Sequence, residues 1–302
     1  IGPLLGGIFS GDVDELSLLG SFPQLREAER KHRSLILALR RRAHDNAARG
    51  ETSTFTSLRF GMSQLIDALS AALTKTDLRK HTRAQSVARD GGKYIVATPG
   101  ATFGADAVVL ACSAGVAKDL LSESAPSVAR DLSNIGFGTS ATVYYAFEKS
   151  SVAHPLDASG FIAPKREGRA INAATFVSSK WPGRAPEGYA LMRTFFAEPA
   201  AFEDDDELVK RGLAELRALI GVSGDPLFSK VSRYPNASPR MTVGHLDRVA
   251  QLKKSLGEAL PNVHLLGGGY DVAGISDCAK AGRELAEKLA SSPPDGGLSA
   301  PG

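Results

Sequence analysis

Cysteine is scarce in this chain, with Cys112 and Cys278 the two in 302 residues. Two thiols cannot build a disulfide framework, and no grouping of Cys and His has zinc-ligand spacing, so a reducing compartment, the cytoplasm, is expected. Long apolar runs are lacking as well. The longest stretch without a charged side chain, Leu132 to Phe147, has 16 residues and is interrupted by Ser, Asn, Gly and Thr, short of the ~20 apolar residues that a spanning helix needs. No charged segment leads into an apolar one near the start, so no secretory leader is expected. Charge of one sign is not in excess: 36 Lys and Arg against 33 Asp and Glu give +3, too little to favour nucleic acid as a partner. Glycine and proline, at 31 and 16 residues, stay near ordinary usage, which excludes collagen-like, mucin-like and wholly disordered chains. Two catalytic signatures are missing. Ser113, Ser178, Ser179 and Ser276 lack a G-x-S-x-G elbow, which leaves serine hydrolase chemistry unsupported. Gly6-Gly7 and Gly136-Phe137-Gly138 lack both the spacing and the strand-turn-helix setting of G-x-G-x-x-G. The chain begins at Ile1 rather than Met, which reads as processing or as a piece of a longer polypeptide.

What is present is ordinary globular composition, 43% hydrophobic and 23% charged, with length for about two domains. Residues 22–48 read as helical, with Leu25, Leu35, Ile36, Leu37 and Leu39 set among charges and Ser21-Phe22-Pro23 as the start. Arg26, Arg30, Lys31, Arg33, Arg40, Arg41, Arg42 and Arg49 against Glu27, Glu29 and Asp45 leave a local excess of five positive charges. Such a segment is either a solvated helix face or a surface for an anionic membrane or acidic ligand. A short amphipathic helix over 63–73 follows the Gly61 break. Asp90-Gly91-Gly92 reads as a hairpin turn between 84–89 and 93–98, and Ala107 to Ala111 as a buried strand. The runs 142–147, 171–177 and 189–196 are β-branched or aromatic and suggest an antiparallel sheet. Acidic residues 203–207 open a helix over 208–220, where they complement its dipole rather than ligate a metal. Residues 263–266 read as a strand, 267–269 as a turn and 278–290 as a helix with Leu285 and Leu289 inward, and residues 291–302 as a disordered tail.

Chemistry is best supported at this last strand, glycine cluster and helix. A glycine turn lets backbone approach a phosphate, and the following helix start favours the anion, although Gly267–Gly269 serves equally as a tight turn. His245 and Asp247 lie two residues apart, which does not bring them together on a helix, so a structural role is expected. Cys278 near a helix start reads as a buried inert thiol rather than a nucleophile. Phe176, Trp181, Tyr189, Phe195 and Phe196 suit either a core or a flat apolar ligand.

Gly267-Gly268-Gly269-Tyr270-Asp271-Val272-Ala273-Gly274-Ile275-Ser276-Asp277-Cys278 resembles the C-terminal flavin-binding signature of the oxygen-dependent protoporphyrinogen oxidases, within the amine-oxidase-like FAD superfamily. Further segments are similar in the same order: Gly11-Asp12 with Leu16-Ser17 and Phe22-Pro23, then Arg59-Phe60-Gly61-Met62, Trp181-Pro182 with Arg184-Ala185-Pro186-Glu187-Gly188 and Leu191-Met192-Arg193, and Val243 to Val249 after Pro239. The resemblance implies a mixed α+β and α/β fold corresponding to the C-terminal two-thirds of the family. That fold comprises an incomplete, Rossmann-like FAD-binding domain, an antiparallel-sheet substrate domain and a partial helical region. The expected divisions are 1–56 (helical, membrane or substrate channel), 57–118 (part of the FAD domain), 119–257 (substrate domain), 258–291 (closing FAD strand-turn-helix) and 292–302 (tail). It implies FAD as cofactor, with Gly267 and Gly268 at the pyrophosphate, Ala273, Gly274 and Ile275 along the isoalloxazine edge, and backbone at Ala84 meeting adenine. Ile162 and Phe176 match positions that sandwich substrate rings. The implied activity is oxidation of protoporphyrinogen IX by O2 in haem synthesis, with coproporphyrinogen III, a non-catalytic tetrapyrrole-binding fragment and another amine-oxidase-like flavoenzyme as alternatives. No side-chain catalyst is assigned. The tetrapyrrole and O2 are the expected partners, and peripheral contact with the inner face of the cell membrane and a homodimer are open.

Overall fold

The computed structural model describes residues 14–48, 56–271 and 274–291. In chain order the helices are α1 (Leu18–Ser21), α2 (Pro23–His32), α3 (Leu35–Ala48), α4 (Ser63–Ala72), α5 (Ala114–Leu121), α6 (Pro126–Leu132), α7 (Val177–Lys180), α8 (Asp205–Ile220), α9 (His245–Ala259) and α10 (Ile275–Ser291). The strands are β1 (Ser86–Asp90), β2 (Lys93–Thr98), β3 (Ala101–Ala105), β4 (Val108–Leu110), β5 (Phe137–Glu148), β6 (Gly160–Ile162), β7 (Ala173–Phe176), β8 (Tyr189–Ala197), β9 (Phe228–Pro239) and β10 (Val263–Leu265). The chain divides into two compact units, one of residues 1–14, 24–78 and 138–238, the other of 15–23, 79–137 and 239–302.

The first unit is built on a five-stranded sheet in the order β6-β7-β8-β5-β9. Strand alternation sends Ala141, Val143, Tyr145 and Phe147 of β5 and Ala190, Met192, Thr194 and Phe196 of β8 to one face. Leu208, Leu213, Leu216 and Ile220 of α8 complete that core. The acidic run opens α8 as expected: Asp204 caps it by accepting from the Glu207 amide at 3.0 Å, and Gly221 ends it at φ +66. Gly212 lies where α8 crosses the sheet, because a Cβ there would collide with the Tyr145 hydroxyl. The basic segment is interrupted between α2 and α3, where Arg33 takes φ +57. Arg26, Arg30, Lys31, Arg33, Arg40, Arg41 and Arg42 are exposed, as are Ile36, Leu37 and Leu39, while Arg49 lies outside the described residues.

The second unit holds the antiparallel β1-β2-β3 sheet and a parallel pair, β4 with β10. The 90–92 turn closes β1 on β2 with Asp90 opposite Lys93 and Gly91 at φ +58. Helices α5, α6 and α9 bury Leu121, Val128, Leu132, Val249, Leu252 and Leu256 with Leu110 and Leu265. Two expectations are corrected here, one for β4 and one for the last helix, and a third lies beyond reach. Val109 is 39% exposed, so its strand is buried on one face alone. The last helix starts at Ile275 rather than Cys278, and Leu285 and Leu289 are half-buried, with no buried residue in α10. The 292–302 tail falls outside the described residues.

Candidate functional site

The glycine turn follows β10 directly. Leu266 donates its amide to the Leu110 carbonyl at 3.1 Å, which ends the parallel pairing, and the chain turns through Gly267 at φ +113 and Gly269 at φ +95. These two glycines do different work. A Cβ on Gly269 would stand 2.6 Å from Phe137 and 3.1 Å from Pro239, so its lack of a side chain is a packing requirement. Nothing stands closer than 3.9 Å to the corresponding point at Gly267, and Gly268 is exposed. The inner side of the turn is therefore filled by protein, while its outer backbone is open to a ligand.

Tyr270 anchors the turn. Its hydroxyl donates to the Cys112 carbonyl at 3.0 Å, and its own carbonyl accepts from His245 Nε2 at 2.8 Å. Burial pushes the Tyr270 hydroxyl above the ordinary phenol range. His245 is 1% exposed, and burial, followed by the Arg248 charge, outweighs the Tyr270 carbonyl and Asp271 and lowers its pKa. It is the first residue of α9, so the neutral imidazole ties that helix to the glycine turn. Asp247 is exposed, which agrees with the structural reading of His245. Lys253 pairs with Asp271 just beyond the turn. Gly274 and Ile275 are exposed at the start of α10, and the Gly274 carbonyl accepts from Cys278 at 2.9 Å. Ala273 lies outside the described residues. Ala84 is half-buried and packs on the second unit's core. It sits before β1 and not within it, although the Gln85 amide already bonds the Ala97 carbonyl at 2.8 Å.

The two residues expected to sandwich a substrate ring do not face each other. Ile162 pairs with Ala173, while Phe161 pairs with Ala174, which shares a face with Phe176. Phe176 is 1% exposed in the core, with its ring 6.1 Å from Phe161 and 5.4 Å from His154. Ile162 is 40% exposed on the opposite face. The register β6-β7-β8-β5 sets Ile162, Ala173, Phe195 and Thr142 in one row of that face and Thr175, Arg193 and Tyr144 in the next. Of the aromatic residues singled out from sequence, Phe176 and Phe196 are core, whereas Phe195 belongs to this second face.

Arg193 enters the sequence reading only within the Leu191-Met192-Arg193 likeness, with no role given to it. Its guanidinium lies 4.5 Å from the Phe195 ring centroid and 5.5 Å from that of Tyr144, and Nη1 donates to the Tyr144 hydroxyl at 3.0 Å. The available signal was an arginine inside an apolar strand, Leu191-Met192-Arg193. Among the described residues no group of His, Cys, Asp and Glu could hold a metal.

A family model described as flavin containing amine oxidoreductase matches residues 2–290. The chain belongs to this family. Curated proteins similar to this chain include some named for porphyrinogens. Coproporphyrinogen III oxidase of Bacillus subtilis (strain 168) is 31% identical over 94% of this chain and 62% of its own length. Protoporphyrinogen oxidase of Homo sapiens is 27% identical over 97% of the chain and 65% of its own. A crystal structure from Exiguobacterium sp. 255-15 shares 28% identity and a TM-score of 0.81, covering 96% of the chain and 62% of that protein. The mixed α/β fold is thus that of amine-oxidase-like flavoenzymes, and the chain spans about 62% of the length of the Bacillus relative. Among the described residues no helix is long and apolar enough to cross a membrane.

Proposed function

We propose that this protein serves the oxidation of a porphyrinogen to the porphyrin in haem synthesis, with FAD as cofactor and O2 as acceptor. The observation that carries the reading is the likeness to porphyrinogen oxidases along nearly the whole chain. The relative named for coproporphyrinogen III is more similar than the one named for protoporphyrinogen, so coproporphyrinogen III replaces protoporphyrinogen IX as the favoured substrate.

The residues present fit a flavin dinucleotide at Gly267–Gly269 and the start of α10. Gly267 leaves open space where any other residue would place a Cβ, and Gly268, Gly274 and Ile275 present exposed backbone beside a helix start. Gly267 and Gly268 would lie at the pyrophosphate, Gly274 and Ile275, with Ala273, along the ring edge, and Ala84 near the adenine. When bound, the flavin accepts electron pairs from the ring system and passes them to O2. The protein's share is orientation and exclusion of water. The turn is fixed from behind by Tyr270 and His245, and Ile162 with Phe195 offers an apolar row to a flat substrate.

The test is to purify the protein, measure its flavin absorption, and follow porphyrin fluorescence in air with coproporphyrinogen III and protoporphyrinogen IX as substrates. Bound flavin and oxygen-dependent fluorescence, faster with coproporphyrinogen III, are expected. A colourless protein without porphyrin formation overturns the reading.

A further inference from the structure

Tyr270, at the exit of the glycine turn, is bonded through all of its polar groups inside the second unit. Its amide donates to the Gly267 carbonyl at 3.5 Å, its hydroxyl to the Cys112 carbonyl at 3.0 Å, and its carbonyl accepts from His245 Nε2 at 2.8 Å. The peptide from Tyr270 to Asp271 is trans, and in a planar trans peptide the carbonyl and the following amide point in opposite directions. With the Tyr270 carbonyl turned inward on to His245, the Asp271 amide is turned the other way. Tyr270 is buried, Asp271 is exposed, and no described residue accepts a hydrogen bond from that amide. It is the first open donor of the backbone beyond the turn.

The imidazole that sets this orientation is only half satisfied. Its partner is a carbonyl, which can only accept, so Nε2 carries the hydrogen and Nδ1 of the neutral ring is bare. Nδ1 is enclosed and has no partner. Buried polar atoms left in that condition are uncommon in folded proteins. A leucine at the head of α9 would fill the space without that cost, so packing does not account for the imidazole, whereas its Nε2 donor does. Lys253, about two turns further along α9, pairs with the Asp271 carboxylate. One helix thus holds both residues of the peptide, His245 at the Tyr270 carbonyl and Lys253 at the Asp271 side chain.

We propose that His245 is a positioning residue for the flavin dinucleotide: through the Tyr270 carbonyl it aims the Asp271 amide outward as a donor to the cofactor. The assignment rests on the flavin reading of the turn and deepens it. It adds a donor to the exposed backbone of Gly268, Gly274 and Ile275, and the residue that fixes this donor belongs to α9, outside the strand, turn and helix that meet the cofactor.

Hydrogen exchange resolved to the Asp271 amide, with and without FAD, tests the wild-type protein directly. The amide should exchange as exposed backbone does in the flavin-free protein and lose that fast exchange when FAD is bound. FAD that binds without protecting the amide refutes the positioning role and leaves the flavin reading standing, whereas absence of FAD binding removes both. Titration with FAD, followed by flavin fluorescence, then isolates the imidazole. His245→Leu should weaken binding about three- to tenfold, the worth of one hydrogen bond. His245→Gln, whose side-chain amide can donate in place of Nε2, should stay within about twofold of wild type and keep the Asp271 amide protected. Val249→Ala loosens the core one turn along the same helix and removes no hydrogen bond. If it lowers FAD affinity as much as His245→Leu does, or if His245→Leu binds FAD like wild type, the role is overturned. Circular dichroism reports whether His245→Leu folds. If it does not, His245→Gln decides: retained affinity and amide protection support the role, and loss of either overturns it.

Discussion

At the scale of single residues, the glycine turn separates packing from access. Gly269 combines positive φ with contacts a methyl group cannot share, whereas Gly91 has the same backbone hand and open space around it. Gly269→Ala should therefore cost about 3 kcal/mol, combining backbone strain and overpacking, and Gly91→Ala about 1 kcal/mol, in urea unfolding. Equal losses would mean that Phe137 and Pro239 yield freely. His245 adds a pH dependence. Its pKa is lowered in the folded state, as is that of His264, also chiefly through burial. The unfolded chain thus binds protons that the native state refuses. Their contribution to stability is complete above pH about 6.5 and declines as pH falls below it towards the lowered native values. Wild type should lose stability as pH falls from about 6.5 to 5.5, and His245→Gln should show a shallower dependence. Identical slopes would place the acid sensitivity elsewhere.

At the scale of elements, α8 and the sheet beneath it show what patterning can and cannot tell. Asp204→Ala should cost about 1 kcal/mol by removing the cap. Gly212→Ala should cost about 2 kcal/mol through the Tyr145 hydroxyl, and Tyr145→Phe should reduce that penalty in a double-mutant cycle. Strict additivity would show that the helix shifts instead. The acidic opening of α8 was legible because it is local, as was the Asp90-Gly91-Gly92 hairpin, whereas the helix begins at Asp205 rather than Leu208 and the Asp204 cap was not read. The strand β9 was not legible, because Pro235 and Pro239 within it argue against a strand and its place is set by a sheet assembled from distant segments. Helices α5 and α6 have eight and seven residues, about two turns each, which is too short for a helical period to stand out in the sequence. The opposite faces taken by Ile162 and Phe176 were not legible for a similar reason. Which face each residue takes depends on the pairing of β6 with β7, and a shift of one residue would reverse it. Arg193 was read only as part of a motif, because its aromatic surroundings arise when β8 pairs with β5.

For the whole molecule, two separate cores predict separable stability. Leu216 belongs to one and Leu256 to the other, and both are fully buried. Each truncation to Ala should cost about 2–5 kcal/mol in its own unit. Calorimetry should show Leu216→Ala and Leu256→Ala lowering different transitions, whereas a common shift of one transition would make the chain a single cooperative body. The family and the mixed fold could be read from ordered motifs, because each motif is a local run of sequence.

The parallel pairing of β4 with β10 joins Val108 to Val263. On the ribosome the first unit is complete once Ser238 has emerged, but β4 must wait for a partner made much later. Local hairpins such as β1-β2 form early, and the distant parallel contact is the slow step. The glycine turn hangs on that last strand, so the surface proposed for a dinucleotide takes shape only after β10 has paired with β4.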